Sequence, residues 1–281
     1  MKTNSIIVLI FCSLINFSVY GQEGATKGVR GKLAGISIGK QQEQMTKDFR
    51  YKDSVNFEVK INPDFFLLGT FSDYMGRFAY VNRDTQVDRY YPYEEFLAKY
   101  VADFIERNYN IKVDTQFKES RYSEIFSRTI VEKLHSYYDE QGKLKEGIFD
   151  SEEKMYSFLT GVLLRYGENI FDNVFLISVF NSPKRNEIYE LLKSLECIKI
   201  IYKNYRGNIP TVTKFYFEAT PRILKYFNTI RNENVIIQSE YKKVNWKMFE
   251  NSDKETFERL KQQIEEREKE VVNSIKTIFK M

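Results

Sequence analysis

Histidine is almost missing from this chain: His135 is the single one in 281 residues. That scarcity excludes a multi-histidine metal site. It also forces any Ser-His-Asp or Cys-His mechanism through one side chain. His135 stands beside Leu134 at the edge of an apolar helical stripe, the place of a helix-boundary residue, and no Gly-x-Ser-x-Gly elbow accompanies it. Cysteine is equally scarce, with Cys12 in the first apolar run and Cys197 alone beyond it. An intramolecular disulfide is then out of reach once the leader is gone. Cys197 reads as a small buried hydrophobe, the alternative being a bridge between chains.

Long apolar runs are lacking after residue 15. The longest later one, Val174 to Phe180, has seven residues and contains Ser178. A membrane span needs roughly 20, so this run fits a buried strand or a piece of helix. An excess of one charge is lacking too. Lys and Arg number 43 against 39 Asp and Glu, with the signs interleaved and Lys242, Lys243 and Lys247 the densest patch. Nucleic-acid or anionic-membrane binding would need a clustered footprint, and neither is expected. No Asp-x-Asp-x-Asp-Gly loop is present for calcium. The stretch from Ala34 to Lys40 matches the front of a phosphate-binding loop, but Gln41 occupies the place of the magnesium-binding Ser or Thr. No metal and no cofactor are expected. Only five prolines occur, with no Pro- or Ser-rich linker and no internal repeat.

What is present begins with the N-terminus. Lys2, an apolar run from Ile6 to Ile15, and Asn16 to Gly21 form the three parts of a secretory signal peptide, with Val19 and Gly21 suited to cleavage before Gln22. The expected product is exported, periplasmic or secreted, and loses one positive charge, falling from +4 to +3. Residues 22–48 carry five glycines, Gly24 to Gly39, and read as a flexible entry with a short strand from Leu33 to Ile38.

Residues 49–281 read as one mainly helical (α+β) domain of about six helices and a small antiparallel sheet. Period-2 alternation predicts strands over Val55 to Ile61, Arg77 to Val81 and Thr211 to Glu218, with a further one at Val235 to Ile237. Helical spacing predicts helices after Pro92, over Ile125 to Tyr138, after Asp150 with Glu153 as a capping box, and from Ser182-Pro183 through Tyr202. It predicts two more, from Thr220-Pro221 to Ile230 and a final one of about thirty residues from Trp246. The last carries Phe257, Leu260, Ile264, Val271, Ile275 and Ile278 as an apolar stripe laid on the body of a monomer.

One stretch has the composition of a binding surface: Arg89, Tyr90, Tyr91 and Tyr93. Tyrosine and arginine dominate interface hot spots because each joins a large flat contact area to a polar end. The function expected from the sequence is that of a non-catalytic envelope or secreted protein binding a protein or glycan partner. The alternative is a carboxylate-dependent hydrolase of an extracellular polymer, for which Glu168, Asp172 and Glu218 lie beside apolar segments.

Overall fold

The computed structural model describes residues 57–117, 122–197, 199–205, 210–249 and 254–279. The expected signal peptide, the glycine-rich entry with its strand and phosphate-loop look-alike, and the start of the strand at Val55 lie outside the described residues.

Helix α1, Pro63–Thr70, starts where Asn62 accepts a hydrogen bond from the Phe65 amide and Pro63 fills the first turn. Phe65, Phe66, Leu67 and Leu68 are all fully buried. Helix α4, Glu152–Tyr166, is capped by the Ser151 hydroxyl. The two helices make the most extensive contact between elements of the fold. Their glycines explain why: a Cβ on Gly161 would stand 2.0 Å from the Phe66 carbonyl oxygen, and one on Gly69 would stand 2.2 Å from that of Phe158. Backbone touches backbone at this crossing, and only glycine fits on both sides.

A three-stranded antiparallel sheet, in the order β1-β3-β2, follows α1 in the chain: β1 Gln86–Tyr90, β2 Asp114–Gln116, β3 Ser123–Phe126. Helix α2, Glu95–Tyr109, lies between β1 and β2, and α3, Arg128–His135, follows β3. Beyond α4 comes a four-stranded antiparallel sheet in the order β4-β5-β7-β6, from β4 Gly167–Phe171, β5 Val174–Phe180, β6 Ile200–Tyr205 and β7 Val212–Glu218. Helix α5, Arg185–Ser194, connects β5 to β6; α6, Pro221–Asn228, α7, Arg231–Phe249, and α8, Lys254–Phe279, complete the chain. The run from Val174 to Phe180 is strand β5 over its whole length. It is apolar except at Ser178 because both faces are covered along most of its length: Phe175, Ile177 and Val179 join the main core, while Val174 and Leu176 meet Ile275 and Phe279 of α8.

The α+β class holds, with eight α-helices and two small antiparallel sheets among the described residues, against about six helices and one sheet expected. The differences have local causes. Residues 57–61 and 77–81 form no strand; in the second segment the chain turns at Gly76, at positive φ, and the Arg77 amide bonds to the Gly142 carbonyl. The apolar residues from Ile125 are shared between β3 and α3, because Ser127 ends the strand and caps the helix. The helix after Pro183 stops at Ser194, with Glu196 at positive φ, and Tyr202 belongs to β6. Val235 to Ile237 lie within α7, where only Ile237 faces inward. The final helical region is two helices, α7 and α8, and the stripe on α8 is rotated. Ile275 and Phe279 are buried, whereas Val271 and Ile278 are exposed.

Candidate functional site

The end of α1 has no glycine cap. The carbonyls at and just beyond that end are met instead by three cationic side chains, two from distant parts of the chain and Arg77 from the turn that follows the helix. Lys184 donates to the Phe71 oxygen at 2.7 Å, Arg165 to that of Thr70 at 2.8 Å and Arg77 to that of Ser72 at 3.0 Å. Cations belong there because the helix C-terminus carries partial negative charge. Asp88, fully buried on β1, receives both guanidinium groups: Arg77 at 2.9 Å on one oxygen and Arg165 at 2.7 Å on the other. Glu94 takes Arg165 in a fork, at 2.9 and 2.8 Å. Buried charges survive only when paired and hydrogen-bonded, and Arg165 meets that condition with bonds from Nε, Nη1 and Nη2. Burial pushes the Lys184 ammonium down to about 8, against the pull of Asp73.

His135 is the outer member of this cluster. Its Nε2 accepts from Arg77 at 3.3 Å and its Nδ1 faces the Arg83 carbonyl oxygen at 3.2 Å, an arrangement that assigns the proton to Nδ1. Burial first, then the Arg77 charge, lower its pKa to about 4. It is a neutral acceptor for an arginine, without a nucleophile at hand among its hydrogen-bond partners.

The same cluster fixes the backbone of the tyrosine-rich stretch. Arg165 Nη2 donates to the Arg89 carbonyl at 3.1 Å, and the Tyr91 amide donates to Glu94 at 2.8 Å. Between them Tyr90 is fully buried under the Arg165 guanidinium, 4.9 Å from its ring centroid. Strand alternation then sends Arg89 and Tyr91 to the other face. The four residues singled out in the sequence are thus divided: Tyr90 is core, and Arg89, Tyr91 and Tyr93 are half-buried at the surface.

Two residues that sequence reasoning did not select complete this surface. Tyr122, just before β3, lies under Arg89, whose guanidinium carbon is 3.4 Å from its ring centroid, and is tilted against Tyr91 at 5.3 Å. Tyr241 from α7 meets Tyr93 edge-on at 4.9 Å. Tyr91 and Tyr93 stack at 5.4 Å with planes 6° apart. Burial, then Glu94, push the Tyr91 phenol up to about 12, and the same two causes raise Tyr93. These phenols stay protonated. Only the aromatic composition around residues 122 and 241 could have signalled them, since their partners are remote in sequence.

The carboxylates considered for hydrolysis have local roles. Glu168 is 3.6 Å from Lys242, Glu218 pairs with Lys199 at 3.0 Å and accepts from Asn173, and Asp172 sits exposed at positive φ in the β4–β5 turn. Among the described residues no group of three or more His, Cys, Asp or Glu side chains is placed to hold a metal ion. Cys197 is buried, and burial pushes its thiol up to about 12. No described helix is long and apolar enough to cross a membrane.

No family model matches this chain. No curated protein matches it either. A distant likeness is found to a solved structure described as mesophilic variants from the homing endonuclease I-DmoI. The two are 15% identical, the match covers 60% of this chain and 95% of that one, and the TM-score is 0.37.

Proposed function

We propose that this chain is an exported, non-catalytic binding protein, and that its binding face is formed by Arg89, Tyr91, Tyr93, Tyr122 and Tyr241. The observation that carries this reading is the pinning of that face from below. Arg165 holds the Arg89 carbonyl and Glu94 holds the Tyr91 amide, so the surface rings rest on a backbone fixed by a buried ionic cluster. Rings ordered before a partner arrives lose less entropy on binding, and Tyr and Arg are the types that dominate hot spots.

The double variant Tyr91→Ala/Tyr93→Ala tests it. Immobilised full chain and variant are compared on a panel of soluble proteins, peptides and polysaccharides, with circular dichroism as the control of fold. Retention of at least one ligand class that the variant loses supports the reading; identical retention throughout rejects it. Export is tested separately, by mass spectrometry of the secreted or periplasmic protein, with an N-terminus within a residue or two of Gln22 expected. A full-length chain held in the membrane fraction rejects that part.

A further inference from the structure

The aromatic rings of this face are turned toward one another. Tyr91 lies between Tyr93 on one side and Tyr122 on the other, the Tyr93 ring also meets Tyr241, and the Arg89 guanidinium covers Tyr122. A sugar ring or a nucleobase that stacks needs an open aromatic face, and this packing already engages a face of Tyr91, of Tyr93 and of Tyr122 within the protein. The polar edges are open as well. The hydroxyls of Tyr91, Tyr93 and Tyr122 have no hydrogen-bond partner among the described residues, and none of them is among the sealed polar atoms lacking one, so they reach solvent. A neutral phenol and a guanidinium both donate hydrogen bonds, and a guanidinium accepts none.

The nearby carboxylates are already engaged. Glu124 stands opposite Arg89 in the β1–β3 register but accepts from the Gln86 amide at 2.8 Å. Glu94 is held by Arg165, Glu240 by Lys243 and Glu168 by Lys242. Arg89 therefore meets no carboxylate within ion-pair distance among the described residues. Resting on the binding reading above, we propose that the partner is an acidic protein segment, whose carboxylates are received by the Arg89 guanidinium and the surrounding phenol hydroxyls. Burial keeps the Tyr91 and Tyr93 phenols protonated over the whole physiological range, so their donor character does not depend on pH there. Charge-assisted hydrogen bonds of this kind are the strong ones, and arginine forms them in pairs with a carboxylate.

The test uses the full chain and fluorescently labelled poly-L-glutamate, read by fluorescence anisotropy. Binding should weaken as NaCl is raised, because the pairing is partly exposed. Arg89→Gln should weaken it about tenfold, the scale of a lost interface hot spot. Tyr91→Phe, which keeps the ring and removes only the hydroxyl, should weaken it as well, while Lys193→Gln on α5 should leave it unchanged. Poly-L-glutamate binding that is indifferent to Arg89→Gln and Tyr91→Phe overturns the proposal. Failure to bind poly-L-glutamate, with neutral dextran or a single-stranded oligonucleotide retained only when Tyr91 and Tyr93 are intact, overturns the acidic partner and leaves the binding face standing. If no probe depends on Tyr91 and Tyr93, both fall together.

Discussion

Arg165 shows how much of this molecule one side chain can organise. From α4 it reaches the end of α1, the buried Asp88, Glu94 and the backbone of β1. Arg165→Met keeps most of the volume but strands Glu94 and leaves the fully buried Asp88 with Arg77 as its one cation. It should cost about 3–5 kcal/mol, the usual penalty for breaking a buried pair from one side, read as a lower midpoint in urea unfolding. Arg165→Lys should recover little, since an ammonium cannot present the fork that Glu94 receives. His135 supplies a second prediction. Its folded pKa lies near 4, below the ordinary 6.5, so the folded state resists a proton that the unfolded chain accepts. The stabilising contribution is complete above about 6.5 and is lost as pH falls from there toward 4. His135→Gln should flatten that part of a melting-temperature profile; an unchanged acid slope would show that other groups set it. From sequence His135 was legible as a stripe-edge residue, but its service to Arg77 was not, because Arg77 is 58 positions away.

Among the elements, α1 and α4 determine where everything else sits. Their crossing depends on Gly69 and Gly161, where a methyl group has no room. Gly161→Ala should destabilise by roughly 1–3 kcal/mol, the range for forcing an extra carbon into a packed core, even though alanine is the better helix former. A gain in thermal stability would show that the helices separate easily. The stop of α4 and the start of α6 were readable in sequence, Gly167 ending the first and Thr220-Pro221 starting the second, while the expected capping box of Asp150 and Glu153 gave way to Ser151, which caps the Lys154 amide. The failures were at shared apolar runs. A stripe such as Ile125 to Tyr138 satisfies helical spacing and still divides into a strand and a shorter helix once β1 offers it a ladder.

For the molecule as a whole, α8 decides how the second sheet is closed. The sheet's outer face carries Val174, Leu176 and Tyr216, and Ile275 with Phe279 from the last turns of α8 cover it. Lys199 fastens that end, donating to the Phe279 carbonyl at 2.8 Å. Phe279→Ala should therefore cost about 3–5 kcal/mol and Ile275→Ala somewhat less. Ile264→Ala should cost little, since Ile264 is only half-buried. Equal losses at positions 264 and 275 in thermal unfolding would mean that the whole helix, and not its end, is seated on the body.

The sequence by itself determined the α+β class, the exclusion of a multi-histidine metal site, and the concentration of Arg and Tyr around residues 89 to 93; it left Val174 to Phe180 open between a buried strand and a piece of helix. These follow from composition and from the periods of helix and strand, which are local properties. Tertiary structure alone decided which tyrosine turned inward, which glycines met, and which carboxylate each cation found. The decisive pairs are remote in sequence, such as Arg165 with Glu94, 71 positions apart, and Lys184 with the end of α1, 115 apart. No local pattern encodes such a pair, because neither residue's neighbours carry any sign of the other.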